Sequence, residues 1–84
     1  MGKWEKLTRR IVEGKSNADI AFDDLVNLLL HFGFELRTRG SHHVFRKAGV
    51  VEKANLQKDG NVAKPYQVRQ VRCLILQYRL GDNR

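Results

Sequence analysis

The sequence is poor in cysteine and proline, with one of each. Cys73 alone cannot form a disulfide within the chain, so a disulfide scaffold is excluded and a reducing cytosol is the natural compartment. No apolar run approaches the roughly 20 residues needed to span a bilayer. Met1-Gly2-Lys3-Trp4-Glu5-Lys6 lacks the apolar core of a signal peptide. Lys6 stands where an N-myristoylation signal needs Ser or Thr. These absences lead us to expect a soluble cytoplasmic protein with no membrane partner. Acidic residues are also scarce: 9 Asp and Glu face 16 Lys and Arg, a net charge of +7. That balance favours an anionic partner such as RNA, DNA or an acidic protein. The 84 residues allow one small domain. A chain of this size buries only about 60% of its unfolded surface, so the core is thin.

Repeats, low-complexity tracts and long linkers are absent too, and what is present reads as six short elements. In residues 3–13, Trp4, Leu7, Ile11 and Val12 fall on one helical face, with Lys3, Lys6, Arg9 and Arg10 largely elsewhere. This amphipathic helix is read as packing on its own domain. Residues 14–19 form a polar connector. Gly14-Lys15-Ser16 resembles the tail of a P-loop, but the upstream glycine and the preceding strand are missing, so that reading is set aside. A second helix carries Phe22, Leu25, Val26 and Leu29 at core spacing, widened by Leu30 and Phe32. Asp23 and Asp24 suit its positive end. Gly33 suits its stop, and His31 reads as a helix-end residue.

Residues 34–38 alternate as a half-buried strand does. Arg39-Gly40-Ser41 turns the chain and His42 to Lys47 returns it. Residues 50–56 read as a third strand, and Asp59-Gly60 centres a loop. Pro65 fits the first position of a last helix, with Val68, Val71 and Ile75 inside, Leu74 and Tyr78 beside them, and Gly81 as terminator. Cys73 on this helix reads as a small packing residue rather than a nucleophile. The order predicts an α+β two-layer sandwich: helices cover one face of a three-stranded antiparallel sheet and leave the other face open and basic.

Chemistry concentrates at Gly40-Ser41-His42-His43-Val44-Phe45. Histidine can take and give a proton near neutrality. Arg37 and Arg39 precede the pair, and Arg46 and Lys47 follow it. Adjacent strand residues point to opposite faces. If Phe45 packs into the core, His43 shares its side and His42 faces outward with Val44 and Arg46. If Val44 is the core residue, the assignment flips. Phe buries more apolar area than Val, which favours His42 as the exposed histidine and keeps His43 as the alternate. Divergent strand histidines cannot easily grip one ion, and no carboxylate cluster accompanies them, so no metal is expected.

The Gly-Ser-His stretch, a short sheet, and Lys64-Pro65-Tyr66-Gln67-Val68 opening the last helix together resemble the HicA (YcfA-like) toxin family. The resemblance runs over roughly Phe22 to Leu80 and leaves the first helix as an addition. It implies one HicA-like domain over residues 1–84: helix and connector to 19, core over 20–81, in a fold like the double-stranded-RNA-binding domain. It implies an mRNA interferase, the RNA endonuclease toxin of a toxin–antitoxin pair, blocked by a HicB-like antitoxin protein and needing no cofactor. The family's catalytic histidine maps onto His42, or onto His43 in members with one more residue after Gly-Ser. Arg37, Arg39, Ser41, Arg46, Lys47, Lys64, Arg69 and Arg72 are the candidate RNA contacts. The competing expectations are a non-catalytic RNA-binding module and a domain that binds an acidic protein.

Overall fold

The computed structural model describes residues 2–14 and 20–80. Its elements are α1 (Lys3–Glu13), α2 (Phe22–His31), β1 (Glu35–Arg39), β2 (His42–Arg46), β3 (Ala54–Gln57) and α3 (Pro65–Tyr78). The expected α+β class and the single antiparallel sheet are both present, in the order β1-β2-β3. Lys15 to Asp19, most of the connector, and Gly81 lie outside the described residues. The last helix stops before that glycine: Arg79 takes the left-handed conformation at φ 52°.

One core unites the elements. Ile11 of α1, Phe22, Leu25, Leu28 and Leu29 of α2, Phe45, Ala54 and Leu56 of the sheet, and Val68, Val71, Leu74 and Ile75 of α3 are all buried together. Phe22, Leu25 and Leu29 of the expected stripe are buried and Val26 and Phe32 pack against the core, but Leu28 takes the place expected for Leu30. Leu28 is inside, whereas Leu30 is 41% exposed. At the end of α2, Gly33 follows with φ 98°, a conformation that side chains resist. The chain can then reverse into β1.

β3 is shorter than the expected strand. Residues 50–53 run irregularly, and the ladder begins at Ala54, opposite Phe45. A different contact holds this loop: the Val51 N–H donates to the Tyr78 hydroxyl, which itself donates to the Glu52 carboxylate. After β3, a bridge between Ala21 and Val62 ties the chain back beside α2. Gln67 of α3 is buried with its amide occupied at both ends. Its Oε1 accepts from the Lys64 N–H, and its Nε2 donates to the Gln57 carbonyl at 2.7 Å. This satisfies a buried polar group and fixes the start of α3 against β3.

α1 is bound into the domain rather than appended to it. The Arg72 guanidinium donates to the Ile11 carbonyl at 2.7 Å. Trp4 stacks on His31 with ring centroids 5.3 Å apart.

Candidate functional site

The register resolves the open face into three cross-strand rows. Directly paired residues share a face of the sheet. Leu36, Phe45 and Ala54 form one inward row, and Thr38, His43 and Leu56 the other. The outward rows are Arg39–His42–Gln57, then Arg37–Val44–Asn55, then Glu35–Arg46. All of these outward residues are exposed except Val44, which is half-buried.

The first outward row is set by the hairpin turn. Gly40 and Ser41 form a two-residue connection between Arg39 and His42. Gly40 has φ 60° and Ser41 is not in the positive-φ region. A positive φ at the first central position alone matches the type II′ turn, whose twist suits a hairpin. The turn therefore holds His42 opposite Arg39.

The two histidines diverge as strand parity requires. Phe45 is fully buried. His43 shares its face, meets the Phe22 ring edge-on at 5.1 Å, and places Nδ1 3.1 Å from the Ser41 carbonyl. A carbonyl only accepts, so this contact puts a proton on Nδ1. His43 is thus held between the turn and α2. His42 points into solvent beside Arg39. The Ser41 carbonyl also accepts from the Lys58 N–H at 2.9 Å, which fastens the turn to the loop after β3.

The other expected contact residues separate into groups. Arg37, Arg39 and Arg46 lie on the outward rows around His42. Ser41 sits in the turn. Lys47 leaves the sheet: its ammonium lies over Gly33, where an added Cβ would be 3.4 Å away. That position at the end of α2 suits a cation. Lys64 stands at the start of α3 and pairs with Asp59 at 3.2 Å. Arg69 is exposed on the outer side of α3, away from the core residues Val68 and Val71. Arg72 is engaged with the end of α1. The outward face thus gathers His42 with three arginines, while Lys64, Arg69 and Arg72 belong to the helical layer.

At the end of the sheet opposite the turn, a cleft of about 300 Å³ opens between the sheet and residues 48–53. Arg37 and Arg46 line it, joined by Lys53, which was not among the sequence-derived candidates. In sequence Lys53 shares the parity of Asn55 and Gln57, although the ladder begins only at Ala54.

Among the described residues no three His, Cys, Asp or Glu side chains gather as a metal site, and no helix is long and apolar enough to cross a membrane. Comparison of the chain with family models, with curated proteins and with solved structures gives no match.

Proposed function

We propose that the protein is a metal-independent RNA endonuclease of the HicA type, with His42 as its general base. The supporting observation is the first outward row: an exposed histidine opposite Arg39, with Arg37 one row away and the second histidine turned inward. The resemblance in Gly40-Ser41-His42 and in Lys64-Pro65-Tyr66-Gln67-Val68 supplies the reaction class and the likeness to the double-stranded-RNA-binding fold. The family reading also makes the protein a cytoplasmic toxin, held inactive by a HicB-like antitoxin that covers this face.

In the proposed reaction, His42 takes the proton of an RNA 2′-hydroxyl. The 2′-oxygen forms a bond to the adjacent phosphorus, and the bond from phosphorus to the 5′-oxygen breaks. That oxygen leaves as a hydroxyl by taking a proton from water, and the hydroxide so formed takes back the proton held by His42. The products are a 2′,3′-cyclic phosphate and a 5′-hydroxyl end. Arg39 and Arg37 stabilise charge on the phosphoryl oxygens. In-line attack needs a flexible backbone, so the substrate is single-stranded or loosely structured RNA. DNA has no 2′-hydroxyl and stays intact.

The test is incubation of labelled RNA with folded protein in excess chelator. His42→Ala should lower the cleavage rate by about 10²- to 10⁴-fold, the usual worth of a general base. His43→Ala should keep cleavage in whatever fraction remains folded. Retained cleavage by His42→Ala would overturn the assignment of the base. One observation favours a second reading, a non-catalytic RNA-binding module. Glu35, the carboxylate on the outward rows, is two rows from His42, so among the described residues the cross-strand rows supply no second carboxylate directly beside the histidine. Wild-type protein that retards RNA on a gel and leaves it whole would establish that reading.

A further inference from the structure

The cleft at the far end of the sheet is not explained by the first row. Arg37, Arg46, Lys47 and Lys53 surround it with Glu35 and Glu52. Among the described residues, none of the four cations forms an ion pair. Glu52 already accepts from the Tyr78 hydroxyl. Glu35 faces Arg46 in register without pairing to it. Four cations against two carboxylates leave an excess of two positive charges around a walled depression; that balance favours an anion small enough to enter, and a phosphodiester group meets that description.

The cleft also lies in line with His42. Arg46 is four residues along the same strand and on the same face, about 13 Å away at the usual rise per residue. Between them stand Val44, Arg37 and Asn55. The outward rows offer no aromatic ring besides His42, so bases have little to stack on.

We infer that the cleft is a second phosphate subsite, in which Arg46 and Lys53 hold the backbone of a single strand whose scissile phosphate lies at His42. This rests on the reading that the open face carries RNA, and it makes recognition backbone-led. Arg37 serves both sites. The loop over residues 50–53 brings Lys53 to the cleft because Tyr78 holds it. Strand binding should therefore depend strongly on salt and weakly on base sequence.

A labelled oligothymidylate is the probe, since it carries the same phosphodiesters and cannot be cut through a 2′-hydroxyl. Its affinity would be followed by fluorescence anisotropy across a salt series. For Arg46→Gln/Lys53→Gln, the slope of log affinity against log salt should shrink by about 1.4, or about 0.7 for each phosphate of a single strand that is no longer neutralised. Lys3→Gln/Lys6→Gln removes equal charge from α1 and should leave the slope nearly unchanged. A wild-type slope in the cleft variant, an equal loss in the α1 variant, or no binding by the wild type would each overturn the subsite. Its fate is separable from that of the nuclease: intact RNA with the expected slopes would remove the cleavage chemistry and leave the subsite standing.

Discussion

At Gly40 an added Cβ would meet no atom within 4 Å, so substitution there costs backbone strain alone. With φ 60° at the first central position of a type II′ turn, an L-residue is held in a sparsely populated backbone region and loses about 1 to 3 kcal/mol. Gly40→Ala should lower stability by about that amount in urea unfolding. It should also weaken whatever His42 does, because the turn sets the pairing of Arg39 with His42. A change under about 0.5 kcal/mol would mean that the turn adapts freely. Which histidine faces outward was legible in the sequence through strand parity. Phe45 is the core residue, and parity then sends His43 inward and His42 outward. The sequence could not show what His43 does there, because its contacts with Phe22 and with the Ser41 carbonyl depend on packing between α2 and the turn.

Among the elements, α1, α2, the hairpin and the start of α3 were legible because their apolar spacing and turn residues agree. β3 was not fully legible. Alternation of Val50 to Leu56 suits a strand, but residues 50–53 are drawn to Tyr78 on α3, a contact 27 positions away in sequence. The bond that engages Arg72, a candidate RNA contact by sequence, was not legible for a similar reason, since its partner carbonyl at Ile11 is 61 positions away. The Tyr78 contact gives a pH prediction. The hydrogen bond to Glu52, first among its causes, raises the Tyr78 phenol above its ordinary value of 10.0. The folded state therefore holds this proton more tightly than the unfolded chain. The contribution is fully present below about pH 10 and fades as pH rises through the folded value. The stability difference between wild type and Tyr78→Phe should accordingly shrink in alkaline urea titrations. A difference that grew with pH would show that the hydroxyl does not donate to Glu52. If the loop positions Lys53, Tyr78→Phe should also weaken oligothymidylate binding at neutral pH.

For the molecule as a whole, the thin core makes α1 a matter of folding as well as of surface. Ile11 is fully buried in the core that it shares with Phe22, Leu25 and Val71, although the family resemblance begins after this helix. A domain of this size has a stability of only about 4 to 12 kcal/mol at the usual values per residue. Truncating a buried isoleucine to alanine typically costs about 2 to 5 kcal/mol. A loss near 3 kcal/mol would lower the melting temperature by about 12 to 24 °C in so small a domain. Ile11→Ala should show that shift by circular dichroism, and Ile11→Val a fraction of it. Leu30→Ala, at a side chain 41% exposed, should move the transition far less. If Ile11→Ala melts within a few degrees of the wild type, α1 is only loosely docked. If the expected shift is found, the first helix is part of the platform that holds the sheet, and its basic outer side is carried on a structural element.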